Sequence, residues 1–290
     1  MEKRLRITYL DVFVIASLII FTIWVVVRIK TGLNYRWNWA VIPQYLFRYD
    51  AETDRWVPNL LIQGFLTTIR LSIWATLLAT LIGTIMALCR IRKSLFFRMV
   101  GRSYVELVRN MPPLVLVFIM YYFVSDQILR VIGIDAVFRT LSPQVQTFFS
   151  ICCAPPAQIS VFFSAIITLG LYEGAYITEI VRAGIQSIER GQWEASSALG
   201  FTRWQQMRHV IFPQAILRIL PPFAGQVIST IKDSAIVSVI SIQELTFQGM
   251  ELMSATYLTF EVWITIMALY FLLTFSCSLA VRRLELALSR

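Results

Sequence analysis

Charge is scarce in this sequence. Asp, Glu, Lys and Arg make up 15% of its 290 residues, while 57% are hydrophobic; an ordinary soluble domain carries roughly 25% charge. So little charge cannot cover a surface in water, which excludes the soluble class and puts the chain in lipid. Acidic residues are the scarcer kind, 17 Asp+Glu against 26 Lys+Arg, for a net charge of +9. No nucleic-acid partner follows, because the cations stand at the ends of apolar runs instead of along a polar face. Histidine is nearly absent: His209, the single one, follows Arg208 in a polar stretch and is read as neither catalyst nor metal ligand. The four cysteines, Cys89, Cys152, Cys153 and Cys277, lack the paired spacing of a zinc site and the density of a disulfide scaffold. The neighbours Cys152 and Cys153 are either apolar filler or an oxidisable pair. Neither Gly-x-x-x-x-Gly-Lys-Ser/Thr nor a helix-opening glycine cluster occurs, which excludes nucleotide hydrolysis by this chain. No catalytic residue, metal site or cofactor is expected in it.

What is present is a series of long apolar runs. About 20 mainly apolar residues cross about 30 Å of hydrocarbon, and the spacing predicts six such helices, near 10–29, 60–89, 104–125, 159–181, 215–242 and 262–281. The fold class is an all-α membrane protein. The first run follows basic residues as a signal peptide would, but no small-residue cleavage site follows it and it ends at Arg28, so it is expected to stay as a helix. Positive charge is retained on the cytoplasmic side. Arg90, Arg92, Lys93, Arg98 and Arg102 place the loop after the second helix inside. The N-terminus with Lys3, Arg4 and Arg6, the 182–208 segment and the C-terminus with Arg282, Arg283 and Arg290 then fall inside too. Arg28, Lys30, Arg36, Arg48 and Arg55 in the first outer loop dissent. That loop also holds Tyr35, Trp37, Trp39, Tyr45, Tyr49 and Trp56, rings of the kind that collect at the membrane–water boundary. A second outer segment, about 126–158, carries Pro143, Pro155 and Pro156, which break any long helix.

Residues 184–213, between the fourth and fifth helices, are far too polar to span. Gln192 to Leu199 are good helix formers, Gly200 offers a left-handed stop, and a new amphipathic stretch runs to Pro213. The small side chains Ala195, Ser196, Ser197 and Ala198 let another protein surface approach the backbone, and Glu194 near the helix start favours the positive end of its dipole. Such a helix is either a docking element or a solvated connector.

This stretch resembles the EAA loop of ABC importer permeases: Glu-Ala-Ala, three residues, Gly, nine residues, then Ile-x-Leu-Pro. Glu194, Ala195 and Ser196 stand for the first element, Gly200 for the glycine and Val210, Ile211, Phe212 and Pro213 for the last. Serine for alanine, valine for isoleucine and phenylalanine for leucine are the departures. The flanks extend the likeness to the polar amino acid permeases. They are Gly174, Ala175 and Tyr176 through Glu179 to Ile188, then Arg109 to Pro112, then Ile231 to Ser234 with Ser238, Val239 and Ile240. Similarity runs over roughly residues 60–285. It implies a type I importer permease architecture: a five-helix core over 59–290 with its coupling loop at 184–213 and an outer insertion at 126–158, preceded by an extra helix and aromatic loop in 1–58. The implied location is a bacterial inner membrane, with both termini cytoplasmic. The implied partners are a cytoplasmic ATPase dimer that binds ATP and Mg, a second permease subunit and an extracytoplasmic solute-binding protein, with a small polar amino acid as cargo. Glu194, Ala195, Ser196, Ala198, Leu199 and Gly200 would then receive force from the ATPase.

Ionisable groups in hydrocarbon cost several kcal/mol and are by default pathway or pairing residues. Glu173 lies near the middle of the fourth helix, Lys232 and Asp233 interrupt the fifth at its middle, and Arg70 lies in the outer half of the second. Glu173 and Asp233 can attract an ammonium, Lys232 or Arg70 a carboxylate, with Tyr176 one turn from Glu173 lining the path. A fixed Lys232–Asp233 ion pair without a substrate role is the alternative, and Arg70 can instead snorkel outward. Arg109 and Arg182 read as topology anchors at cytoplasmic helix ends. A gradient-driven secondary transporter would also explain buried charge, but it leaves the loop pattern without a purpose and predicts paired half-repeats, of which the sequence has none.

Overall fold

A computed structural model describes residues 9–32, 35–52 and 54–288; Lys3, Arg4, Arg6 and Arg290, used above for topology, lie outside the described residues. The chain forms two units, one ending at Trp39 and one beginning at Ala40. In the first unit α1 (Tyr9–Gly32) is apolar around its circumference, as a membrane-crossing helix is. Near its end the Arg28 guanidinium lies 5.8 Å from the Trp24 ring centroid.

The second unit opens with α2 (Ile42–Leu46) and an antiparallel hairpin, β1 (Phe47–Asp50) and β2 (Arg55–Pro58), with Tyr49 opposite Trp56. Four residues per strand give too little alternation to be read from the sequence. Asn59 ties the hairpin's base down, its backbone N–H donating to Leu46 O at 2.9 Å and its side chain to Gln44 O at 2.6 Å.

From there the unit is helical: α3 (Leu60–Ile91) and α4 (Leu95–Arg109) lead to α5 (Pro113–Met120), which continues as a π-helical stretch over Tyr121–Leu129. Short helices α6 (Arg130–Ile132), α7 (Ile134–Thr140) and α8 (Pro143–Cys152) make the outer insertion. Then come α9 (Ile159–Gln186), α10 (Arg190–Ala198), α11 (Arg203–Gln206), a π turn over Met207–Ile211 and α12 (Phe212–Asp233), ending in a 3-10 segment, Ser234–Ile240. α13 (Leu245–Thr256) and α14 (Thr259–Leu288) complete the chain.

Among the described residues five helices are long and apolar enough to cross a membrane, or six if α4 and α5 with its extension count as one bent span. The expected third helix at 104–125 is therefore corrected: α4 and α5 meet at 108°. Pro112 and Pro113 remove two successive backbone donors, so the ladder cannot continue past Asn110. The fifth span is corrected as well. Lys232 and Asp233 stand at the end of α12, where it tightens into the 3-10 segment, and not at the middle of a helix.

α9 is the central helix, and its tightest neighbour is α3. Ala75, Ala79, Gly83 and Ala87, at four-residue spacing, line the buried face of α3, so the two backbones approach closely. A Cβ on Gly83 would lie 2.7 Å from the Ile177 side chain and 2.9 Å from the Gly174 carbonyl. α4 closes on the same pair: Tyr104 donates to Leu171 O at 2.6 Å, and a Cβ on Gly174 would stand 2.8 Å from its hydroxyl. The outer insertion is pinned to α3 by Trp74 Nε1 on Cys152 O at 3.0 Å and Arg70 on Ser150 O at 3.2 Å. Cys152 and Cys153 are free thiols, Cys153 buried.

Candidate functional site

Two places carry chemistry. The first is the polar loop between α9 and α12. α10 ends as its composition predicts: Gly200 takes φ +78°, its N–H donating to Ser197 O at 3.0 Å, and the Phe201 N–H donates to Ser196 O at 3.2 Å. Only glycine takes that left-handed geometry without strain. α11 then starts on a capping box that the sequence reading missed although Thr202 and Gln205 have its spacing; the Gln205 N–H donates to Thr202 Oγ1 and the Thr202 N–H to Gln205 Oε1 at 2.8 Å. Gln206 Nε2 reaches Ser197 Oγ at 2.6 Å and Gln214 Nε2 reaches Gln192 Oε1 at 3.2 Å, fastening α10 to α11 and α12.

Of the residues expected on the docking face, Glu194, Ala195, Ala198, Leu199 and Gly200 are exposed. Leu199 is 74% exposed and Trp204 70%, two large apolar side chains left open among the described residues. Ser196 is a correction: it is buried, its hydroxyl donating to Trp193 O at 3.0 Å, and so faces the chain's own core. Glu194 lies 3.5 Å from Arg190 across one turn of exposed helix, a pair that contributes little to stability and leaves the carboxylate available.

The second place is at the middle of α9, where α9, α12 and the end of α4 converge. Glu173 is fully buried fourteen residues into α9, about 21 Å along it. One carboxylate oxygen accepts from Gln226 of α12; the other, Oε1, has no donor among the described residues. Thr230 and Asp233, also of α12, approach the same carboxyl. Tyr172 and Tyr176 flank it with ring centroids 5.3 Å apart and hydroxyls 3.3 Å apart. Over the Tyr176 ring, 5.1 Å from its centroid, stands the guanidinium of Arg109, close enough for cation–π attraction.

Arg109, read from the sequence as a topology anchor, is exposed at the end of α4. The break after α4 places it level with Tyr176, three residues from Glu173, with no carboxylate within 4.0 Å among the described residues. The Asn110-Met111-Pro112-Pro113 run that follows it stops α4 at that point. Of the other candidates, Arg70 bonds the outer insertion, and Lys232 is exposed and forms no ion pair with Asp233 among the described residues. Arg182 shares Glu179 with Arg90 of α3, binding the foot of α9 to α3.

Among the described residues no three His, Cys, Asp or Glu side chains gather as metal ligands do. A bundle of membrane-length helices with a buried carboxyl between two of them and an exposed loop helix suits a transport permease. Residues 79–290 match the family described as binding-protein-dependent transport system inner membrane component. The chain belongs to that family, as a multi-pass permease subunit of an ABC importer. It is 31% identical to a probable glutamine ABC transporter permease protein, GlnM, of Bacillus subtilis over 80% of this chain and 94% of the relative. It is equally 31% identical to the glutamate/aspartate import permease protein GltJ of Escherichia coli over 83% of this chain and 90% of the relative. Among solved structures, an amino acid ABC transporter with histidines superposes with a TM-score of 0.62 at 34% identity, covering 78% of this chain and 92% of that one. The inward-facing methionine transporter MetNI, at 19% identity and a TM-score of 0.60 over 80% of this chain and 97% of that one, shares the fold.

Proposed function

We propose that this subunit forms the inward path of a polar amino acid and is driven through the α10 helix by a cytoplasmic ATPase dimer that binds ATP and Mg. A second permease subunit, identical or paralogous, completes the path, and an extracytoplasmic solute-binding protein delivers the cargo. Both termini are cytoplasmic in this reading. Residues 59–290 form the transport core, 1–58 add a helix and an aromatic outer loop, and 126–158 is an outer insertion. Glu194, Ala195, Ala198, Leu199 and Gly200 present the docking face, with Ser196 holding the helix from beneath.

The observation that carries the cargo is the half-satisfied carboxylate of Glu173. A buried charge missing a donor is costly, and an ammonium arriving there supplies the donors. Glu173 and Asp233 take the ammonium, Tyr172 and Tyr176 line the passage, and Arg109 takes the carboxylate, the role that Lys232 or Arg70 was expected to fill. The relatives are named for glutamine and for glutamate/aspartate, which supports an amino acid as cargo. The test is ATP-dependent uptake of labelled amino acids into proteoliposomes holding this subunit with its ATPase and binding protein. Glu173→Gln is expected to abolish uptake while basal ATPase activity stays; unchanged uptake would confine Glu173 to a structural role.

A further inference from the structure

By itself α4 is too short and too charged to cross a membrane. Its 15 residues make about 22 Å of helix, against about 30 Å of hydrocarbon. It meets the apolar α5 at 108°, so where α5 crosses, α4 lies near the membrane plane. A Cβ on its Gly101 would stand 2.6 Å from the Arg90 side chain and 2.9 Å from the Met86 carbonyl. That puts the start of α4 beside the end of α3, where Arg90 and Arg182 share Glu179. Three strips run along the helix. Gly101, Val105 and Val108 are buried; Arg98, Arg102 and Glu106 follow at four-residue spacing; Phe96, Met99 and Val100, about one turn apart, are exposed, Phe96 by 70%.

Positive charge gathers at the same end. Arg92, Lys93, Arg98 and Arg102 stand around the first turns of α4, and its one acid, Glu106, is taken by Arg102 at 2.6 Å. Arg92, Lys93 and Arg98 form no ion pair among the described residues; Arg92 leans over the Phe97 ring, 4.8 Å from its centroid. Cations at the start of a helix oppose its dipole and one another, so an anion from outside the chain is favoured there. An open apolar strip flanked by a cationic one is the pattern of a helix seated among lipid headgroups, and anionic headgroups supply the missing charge. We infer that the first half of α4 is a binding surface for anionic phospholipid of the cytoplasmic leaflet. Headgroup phosphates lie on Arg92, Lys93 and Arg98, and acyl chains lie against Phe96, Met99 and Val100. The leaflet rests on the orientation proposed above; the lipid chemistry does not.

The environment-sensitive fluorophore NBD is attached at Met99→Cys in a background lacking the four cysteines, and the importer complex with its ATPase is placed in nanodiscs of phosphatidylcholine and phosphatidylglycerol. Lipid content is held constant; only the lipid that carries bromine on its acyl chain changes. Quenching by brominated phosphatidylglycerol is expected to be at least about twofold stronger than by brominated phosphatidylcholine. Raising salt from about 0.1 M to about 1 M shortens the screening length from about 10 Å to about 3 Å and should shrink that difference, a test that needs no further variant. Arg92→Gln, Lys93→Gln and Arg98→Gln combined should erase it while quenching by phosphatidylcholine remains, with retained ATPase activity verifying assembly. Equal quenching by the two lipids would overturn the choice of an anionic headgroup. Quenching by neither would show the strip covered by protein and overturn the surface. A preference that survives both high salt and the triple variant would remove the cations from it. The readout is the same from either leaflet, so a failure of the proposed orientation, read by labelling at Lys93→Cys, is distinguishable from a failure of this inference.

Discussion

Glu244 and Gly83 show how single residues hold this bundle together from opposite extremes of polarity. Glu244, fully buried ahead of α13, accepts from the Thr246 and Phe247 N–H groups at 2.8 Å each and from the Tyr270 hydroxyl of α14 at 2.8 Å, with Thr68 of α3 at 3.4 Å. One carboxylate thus ties three helices. Burial pushes its pKa up from 4.5 to about 7, the hydrogen bonds opposing it. The folded protein then keeps this proton to higher pH than the unfolded chain does, so its contribution favours folding below the ordinary carboxylate range and is lost as pH rises through about 7. Thermal unfolding in detergent should show the wild type gaining stability from pH 8 to pH 5 by more than Glu244→Gln does. At Gly83 the constraint is space. Gly83→Ala puts a methyl against Ile177 and the Gly174 carbonyl and is expected to cost about 1–3 kcal/mol. Ile177→Ala, which removes the Cγ2 at 2.7 Å, should recover only part of it, because the Ile177 Cβ position at 2.8 Å and the Gly174 carbonyl remain.

At the scale of elements, α10 is rigid where it meets its own chain and bare where it faces outward. The capping box, the Gly200 turn and the Gln206–Ser197 and Gln214–Gln192 bonds leave it little freedom relative to α12. A push on Leu199 therefore reaches α12, whose far end carries Asp233. Glu194→Arg reverses the charge of the proposed docking face without touching those bonds. It should leave membrane insertion and thermal stability within about 0.5 kcal/mol of wild type while uncoupling transport from ATP hydrolysis, measured as uptake per ATP consumed. Uptake with normal ATP stimulation would remove the docking role. The α4–α5 break works on another element: α4 ends at Arg109, whose guanidinium stands over the Tyr176 ring, and the chain turns by 108° into α5.

For the whole molecule the proposed orientation follows from the basic loop between α3 and α4. Single cysteines in a background lacking Cys89, Cys152, Cys153 and Cys277 test it: Lys93→Cys should react with a membrane-impermeant maleimide only from the cytoplasmic side, and Trp56→Cys only from outside. The reverse pattern would invert every depth argued for Glu173, Arg109 and the loop. The unit from Ala40 onward contains all of these residues.

The amino-acid sequence by itself determined the solvent, the helices and the polar loop between α9 and α12. Low charge and 20-residue apolar runs admit only helices in lipid, because an unpaired backbone group there is too costly. Gly200 and the residues before it specify a helix stop by local geometry alone. Local signals do not contain the α3–α9 contact, the burial of Ser196 or the broken third span in full, since each depends on which faces meet across long separations in the chain. The charged site shows the division plainly. Glu173 was legible as an acid inside an apolar run, and so was Asp233, but Arg109 read as an anchor. Only the packing of α4 against α9 brings that cation over Tyr176, because a side chain's electrostatic neighbours are set by distance in space and not by distance along the chain.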